Sequence, residues 1–196
     1  MAEALIDDFA WFTAWVHQHL GVCVTFARGV SQQQLVERLG LRSGSMAEQT
    51  FEDVCSDVTH PKVRVGQFGA WAYAVEHLTT IGAAPATLRR LSERRSEALS
   101  LAYTQTASTF LYAANGVLLS GFDLTAPHIR YGSEPHRFDT SIEQAGFLQP
   151  EGPDPPAMGA RFVQLTFGFT IDQQMLSQAL PSFDASPTEA AGRGSW

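Results

Sequence analysis

Most residues of this chain that could do chemistry lie far apart in sequence, with one exception. The stretch TAPHIRYGSEPHR, residues 125–137, contains His128, Arg130, Glu134 and His136 just before a segment with helical spacing. Free amide groups and the helix dipole attract anions to the N-terminus of a helix. The stretch is therefore either an ordinary junction between a loop and a helix, or an anion or ligand site with His128 and Arg130 as candidate binding residues.

Two carboxylates, Glu76 and Asp123, come at the ends of segments with the alternating pattern of strands. If those strands lie in one sheet, the two carboxylates could approach each other and act as general acid and base. The ends of strands also commonly carry exposed acids, and that is the plainer interpretation of both. Glu76 is kept as a candidate binding residue.

The sequence templates of common enzymes are absent. The chain has no Gly-x-Ser-x-Gly, no glycine-rich phosphate loop before Lys-Ser/Thr and no His-Glu-x-x-His. His17 and His19 are two apart on a predicted helix, so they diverge and cannot share a metal ion. Cys23 and Cys55 lie in apolar patterns and are predicted to be buried, reduced thiols. We predict no catalytic residue, no metal site and no cofactor, although residues at distant positions could still assemble a triad.

The bulk composition limits the class of protein. The chain has 196 residues, 44% of them hydrophobic, and a formal net charge of −7. This suits one globular domain and argues against general binding to nucleic acid or anionic lipid. The N-terminus is acidic where a signal peptide is basic, and no apolar run approaches the ~18 residues of a membrane span. A soluble cytoplasmic protein that binds neither nucleic acid nor a membrane is expected.

The elements that must position any site are organised around residues 62–76, KVRVGQFGAWAYAVE. Their period of two predicts a pair of strands that turn back around Gly69. The second strand places Trp71 and Tyr73 on one face and small alanines on the other. We therefore expect a hairpin in the middle of a sheet, with a helix packed closely on the alanine face, and Trp71 and Tyr73 as candidate binding residues.

Two further tryptophans, Trp11 and Trp15, lie four apart in the predicted helix 8–19. They flank the stripe that Phe9, Phe12 and Val16 form at helical spacing. The tryptophans either widen a buried stripe or form a ridge that binds a partner, since two large rings outside the main stripe are costly to leave in water. Both stay open, and both tryptophans are candidate binding residues.

The most basic stretch of the chain contains Arg89, Arg90, Arg94 and Arg95 after a predicted short helix that begins at Pro85. Cations are favoured at the C-terminus of a helix, so the stretch is ordinary as a solvated helix end. The alternative is a site that binds an acidic partner or a phosphate. The sequence does not decide between these two interpretations.

A second hairpin is predicted over residues 109–124, TFLYAANGVLLSGFDL, because Asn115-Gly116 is a preferred pair for a two-residue turn. That turn pairs Ala114 with Val117, Tyr112 with Leu119, and Phe110 with Gly121. Further strands are expected at 22–27 and 99–103, and a helix follows residue 137. The predicted helix caps are Ser31 with Gln34, Ser45 with Glu48, Ser133, and Asp172.

Three phrases together are similar to a family of uncharacterised actinobacterial proteins of the Streptomyces type, of the domain-of-unknown-function kind. They are GVCVTFARGVSQQQLVERLG (21–40), VRVGQFGAWAYAVE (63–76) and FDLTAPHIRYGSEPHRFDTSIEQAG (122–146). The similarity covers most of the chain up to the final helices. It implies an actinobacterial, cytoplasmic setting, but it implies no activity and carries over no site residue.

From these observations we predict an α+β fold, an antiparallel sheet of about five strands built from hairpins and covered by several helices. Residues 1–180 form one domain and residues 181–196 a flexible tail. The expected function is non-catalytic recognition of another protein, because tryptophan is a favoured interface anchor. The alternative is a small-molecule-binding protein or enzyme with a pocket between sheet and helices. The partner and the oligomeric state are left open.

Overall fold

A computed structural model describes residues 9–19, 21–41, 47–149 and 154–185. Seven helices are described, with one 3-10 turn at Ile81–Ala83: α1 (Ala10–Gln18), α2 (Gln32–Leu39), α3 (Phe51–Cys55), α4 (Pro85–Leu91), α5 (Asp139–Ala145), α6 (Pro155–Phe167) and α7 (Gln173–Ser177). The described strands are β1 (Val22–Arg28), β2 (Ala47–Gln49), β3 (Lys62–Phe68), β4 (Trp71–His77), β5 (Glu97–Tyr103), β6 (Ser108–Ala114), β7 (Val117–Asp123), β8 (Arg130–Tyr131) and β9 (Leu180–Asp184).

The strands form one antiparallel sheet in the order β2-β9-β3-β4-β1-β5-β6-β7-β8. The predicted α+β class and antiparallel pairing are confirmed, but the predicted number of strands is wrong, since the sheet has nine. The strands that were not predicted are β2, β8 and β9, which have two to five residues each. Strands β2 and β8 are too short to show a hydrophobic alternation, whereas β9 lies in a stretch whose composition resembles that of a tail.

The sheet has two buried faces with different packing. The aromatic face carries residues such as Phe26, Tyr73 and Phe110, and helices α1, α5, α6 and α7 pack on it. The alanine face carries Ala72, Ala74 and Ala98, and α2 and α4 pack on it. Small side chains let a helix approach the sheet closely. The predictions of a central hairpin and of a helix on its alanine face are therefore confirmed.

The second hairpin contains a β-bulge that the sequence analysis missed. The Asn115-Gly116 turn and the pairing of Ala114 with Val117 are confirmed. The register shifts between Tyr112 and Ala113, so Tyr112 lies opposite Ser120 and Phe110 opposite Phe122. The predicted pairs of Tyr112 with Leu119 and of Phe110 with Gly121 are therefore wrong. The bulge places Phe110 and Phe122 on the same face, with ring centroids 5.2 Å apart.

Two predicted helix caps are wrong, and two are confirmed. Ser31 and Gln34 form a capping box on α2, and Asp172 accepts a hydrogen bond from the Met175 amide at 2.7 Å. Residues 47–49 form a strand, and Thr50 with Asp53 caps α3 instead of Ser45 with Glu48. Ser45 and the acidic residues before Phe9 lie outside the described residues. Ser133 does not cap α5, because its amide and hydroxyl both donate to the Leu118 carbonyl.

The segment after Pro181, predicted to be part of a flexible tail, contributes residues 181–184 to β9. There Ser182 lies opposite Arg64 of β3, and Lys62 Nζ donates to Asp184 at 2.8 Å. Pro181 lies opposite Glu48 of the short edge strand β2, just before the residues of β9 that pair with β3. The rest of the predicted tail, residues 186–196, lies outside the described part of the chain.

Arg64 is a fully buried cation on the aromatic face of β3. Its guanidinium donates to the backbone carbonyls of Gln49 at 3.0 Å, of Leu176 at 2.7 Å, and of Gln178. Burial lowers the pKa of Arg64 to about 10, and the Tyr73 phenol is the largest opposing influence. These bonds satisfy carbonyls at the end of α7 and fix the helix against the sheet.

Candidate functional site

The site residues predicted from the sequence do not meet in one cavity. Trp71 and Glu76 lie at opposite ends of β4 and on opposite faces of the sheet. Arg130 lies on β8, which is separated from β4 by four other strands. At the usual spacing of strands this places it about 24 Å away across the sheet. The pocket predicted between sheet and helices therefore cannot use all three side chains.

Glu76 is fully buried on the alanine face, where its carboxylate holds the 3-10 turn. Oε2 accepts from the Ile81 amide at 2.7 Å and Oε1 from the Gly82 amide at 2.8 Å. Cys23 lies directly opposite on β1, and its Sγ is 3.6 Å from the hydroxyl oxygens of both Thr25 and Ser100. Burial raises the pKa of Glu76 to about 7, despite the backbone hydrogen bonds that favour the charged form. The Glu76 carboxylate therefore holds the 3-10 turn in place, and it does so with a raised pKa.

Asp123 is on β7, separated from β4 by three strands, so the two carboxylates are about 19 Å apart. The alternative in which Glu76 and Asp123 approach each other and act as acid and base is therefore wrong. Asp123 instead accepts hydrogen bonds from the hydroxyl and amide of Thr125 and from the amide of Ala126. Its partial burial raises the pKa, but these hydrogen bonds outweigh burial and leave the pKa of Asp123 lowered.

Tyr73 and the two tryptophans of α1 are held by internal contacts. The Tyr73 hydroxyl donates to the Met175 carbonyl and accepts from Gln178 Nε2 at 2.8 Å, which ties β4 to α7. Trp15 is half-buried, and its ring lies 4.7 Å from that of Phe51. Trp11 is also half-buried. Because both indole rings are partly exposed, the partner-binding ridge on α1 stays a prediction.

The polar stretch around Arg130 forms a local network. Arg130 forms an ion pair with Asp139 and donates from Nε to the Pro127 carbonyl at 2.7 Å. His136 Nδ1 lies 3.2 Å from the Asp139 carboxylate, and His128 is exposed. Since the Arg130 side chain is only 12% exposed and already paired, the network fixes the loop before α5.

A different site forms where several strands end together. The hairpin turns after β3 and β6 meet the end of β1 and the start of β5 at one end of the sheet. An open groove of about 410 Å³ lies there. We call it the arginine groove, and its lining residues are Arg28, Gly29, Ala70, Arg95, Ser96, Glu97, Ala114 and Asn115.

Beside this groove, aromatic and charged side chains alternate across the sheet. Arg28 lies opposite Trp71 on one side and opposite Glu97 on the other. Its Cζ is 5.9 Å from the centroid of the indole ring, and its Nη1 is 3.1 Å from Glu97 Oε1. The Tyr112 hydroxyl donates to Glu97 Oε2 at 2.8 Å, and Arg137 lies over the Tyr112 ring at 5.5 Å.

The aromatic members of this row are buried and fix the charged ones. Trp71 is 7% exposed, and its ring is 4.9 Å from that of Phe169. Burial raises the pKa of Tyr112 to about 12, and the hydrogen bond to Glu97 adds to the shift. Tyr112 therefore stays a neutral donor at physiological pH. The Arg28 side chain is 58% exposed, so the row presents a positioned guanidinium to solvent.

Arg95 brings a second guanidinium to the groove. Arg94 and Arg95 have φ angles of 60° and 65°, a left-handed conformation that is costly for side chains other than glycine. Both residues are exposed, and among the described residues neither guanidinium has a hydrogen bond or an ion pair. The sequence identifies Arg95 only as part of a basic stretch, since its position beside Arg28 follows from the fold.

Sequence reasoning missed Arg28, Glu97 and Tyr112 as site residues. Arg28 and Glu97 are the end residues of strands whose other residues are buried, and Tyr112 is itself buried within β6. Only the register of β1 with β4 and β5 brings Arg28 beside Trp71 and Glu97. The signal that could have identified Arg28 and Glu97 is a charged residue at the end of an apolar, strand-like run.

The described residues contain neither a metal-binding cluster nor a membrane-spanning helix. No group of three or more histidine, cysteine, aspartate or glutamate side chains is arranged to hold a metal ion. None of the helices in the described ranges is long and apolar enough to cross a membrane.

No curated protein and no solved structure matches the chain. A family model does, over the part of the chain that contains β1 to β8 and the groove. Residues 2–160 match DUF6461, described as a family of unknown function, and the chain belongs to that family.

Proposed function

We propose that this protein is a non-catalytic binding protein that recognises another protein through the arginine groove. The observation that carries the proposal is Arg28, which lies over Trp71, is held by Glu97 and still exposes more than half of its side chain. Arginine and tryptophan are enriched among residues that dominate binding energy. An arginine already held in place loses less conformational entropy when a partner binds.

The shape of the site also suits a protein partner. The groove is open and lined largely by residues of strand ends and turns, such as Gly29, Ala70 and Asn115. Such a surface admits an extended segment of a partner more readily than it encloses a small molecule. We place this function in the cytoplasm of an actinobacterium, in line with the resemblance of the three sequence phrases and with the composition.

A small-molecule ligand is the second candidate. The groove volume of about 410 Å³ falls in the range of roughly 300–1,000 Å³ that is usual for ligand pockets. This alternative predicts that a low-molecular-weight compound copurifies with the folded protein and is lost when Arg28 is replaced. Mass spectrometry of the denatured wild-type protein and of Arg28→Met would detect it.

Site-specific photo-crosslinking in the host tests the protein proposal. A photoreactive phenylalanine analogue at Ala70 lies in the groove, in the turn between β3 and β4. The matched control is Ala107, an exposed alanine in the turn between β5 and β6 at the opposite end of the sheet. We expect a discrete crosslinked protein from position 70 that position 107 does not give. Equal products from both positions, or none from position 70, would contradict the proposal.

A further inference from the structure

We propose that the arginine groove binds a carboxylate-rich segment of the partner, and that Glu97 occupies part of this site in the free protein. The inference rests on the proposed function and specifies its ligand chemistry.

The charge of the groove is opposite to that of the whole chain. Arg28 and Arg95 contribute two guanidinium groups, against the single carboxylate of Glu97. The chain as a whole has a formal net charge of −7. A local excess of positive charge on an acidic protein favours an anionic ligand at this surface and steers its approach.

Both guanidiniums keep donors for a ligand. Arg28 uses one Nη1 contact with Glu97, and a guanidinium has five N–H donors. Arg95 has no hydrogen bond or ion pair to any described residue. Planar guanidinium groups match the two oxygens of a carboxylate, and Trp71 beneath Arg28 favours a fixed orientation. A ligand carboxylate can therefore be bound by Arg28, and a second one by Arg95.

Glu97 shows that Arg28 of the groove can bind a carboxylate. It accepts from Arg28 through Oε1 and from Tyr112 through Oε2. It is a carboxylate bound to the groove arginine from within the chain. An incoming carboxylate meets repulsion from Glu97, so removing that negative charge should strengthen binding.

A protein segment fits the groove better than a nucleic acid does. Single strands are bound by exposed aromatic rings on which bases stack. None of the groove's lining residues is aromatic, and the Trp71 ring beside it is 7% exposed and already lies under Arg28. Small residues such as Gly29 and Ala70 leave room for a peptide backbone to pass.

Fluorescence anisotropy with three labelled probes tests the inference. The probes are an octaglutamate peptide, an octaserine peptide, and an eight-nucleotide oligothymidine. We expect octaglutamate to bind, more weakly as salt increases, and the other two to bind at least tenfold more weakly. Arg28→Met and the exposed Arg95→Met should each weaken octaglutamate binding about tenfold. Glu97→Gln should strengthen it about fivefold.

Arg89→Met is the matched control, since Arg89 is exposed on α4 and does not line the groove. It should bind octaglutamate like the wild type. Equal binding of oligothymidine, or equal loss in Arg89→Met, would overturn the carboxylate inference. No binding of octaglutamate, together with a crosslinked partner from position 70, would overturn this inference and leave the protein-binding proposal standing.

Discussion

Arg28 and Trp71 lie directly opposite each other on neighbouring strands, and the guanidinium carbon is 5.9 Å from the centroid of the indole ring. Neither strand alone contains this pair. It forms because the end of β1 meets the start of β4, where the chain has just turned. The pair positions a cation at the edge of the arginine groove, and the account of function depends on it.

The coupling of Glu97 to Tyr112 can be observed in the titration of the phenol. Burial and the hydrogen bond to Glu97 raise the pKa of Tyr112 to about 12. We expect Glu97→Gln to lower this pKa, because it removes the negative charge that disfavours the phenolate. NMR of 13C-labelled tyrosine, assigned with Tyr112→Phe, measures it. An unchanged Tyr112 pKa would contradict the described contact.

Glu76 should make stability depend on pH. Its pKa is about 7 in the folded protein against an ordinary value of 4.5, so the unfolded state releases the proton more readily. The stabilisation is fully present below about pH 4.5 and is lost as the pH rises to about 7, a change of roughly 3 kcal/mol. Urea unfolding of the wild type and of Glu76→Gln measures it.

In that experiment Glu76→Gln should be less stable than the wild type at low pH, because an amide cannot accept hydrogen bonds from both the Ile81 and Gly82 amides. The difference should narrow as the pH rises. Glu143→Gln, at an exposed position of α5, serves as the control and should keep the wild-type profile. A constant difference between wild type and Glu76→Gln over this pH range would refute the perturbed titration.

Arg64→Met should destabilise the fold strongly. The replacement leaves three backbone carbonyls without the donors that Arg64 provides, those of Gln49, Leu176 and Gln178. We expect a loss of roughly 3 kcal/mol in the free energy of unfolding. The exposed control Arg89→Met should change it by less than about 0.5 kcal/mol. Similar urea midpoints for the two variants would show that the buried arginine is not a structural anchor.

Gly82→Ala tests how closely the 3-10 turn approaches the sheet. A Cβ atom at this position would lie 1.9 Å from Thr25 Oγ1 and 2.7 Å from Glu76 Oε1. We expect a loss of about 1–3 kcal/mol, as for other overpacked positions. Gly69→Ala is the comparison. A Cβ atom at residue 69 would meet no atom within 4 Å, so this variant measures only the loss of stability caused by the φ of 50°. If Gly82→Ala proved as stable as the wild type, the turn would have to lie farther from Thr25.

The two main hairpins could be predicted because their signals are local. A period of two around residues 62–76 and the Asn115-Gly116 turn are both contained in short stretches. The bulge at Tyr112 could not be predicted, since no local pattern marks it and Phe110 packs against distant residues, Phe138 just before α5 and Phe162 of α6. Strand β9 was missed because composition after Pro181 resembles that of a tail, while long-range pairing with β3 decides its structure.

The site could be predicted only in part for the same reason. Trp71 was recognised as important, but its partner Arg28 lies far away in the sequence and becomes a neighbour only through strand order. Glu76 was recognised as a carboxylate at a strand end, where exposure is the usual expectation. Its burial follows from the 3-10 turn that covers it, and no local pattern in the sequence indicates that turn.

The most direct test of protein recognition is to measure by calorimetry how tightly the partner crosslinked at position 70 binds to this protein. The comparison is between wild type, the double variant Arg28→Met/Arg95→Met and the control Arg89→Met. We predict that the double variant, with thermal stability close to that of the wild type, binds the partner at least about tenfold more weakly, and that the control binds normally. Equal affinity of the double variant and the wild type would contradict recognition through the arginine groove.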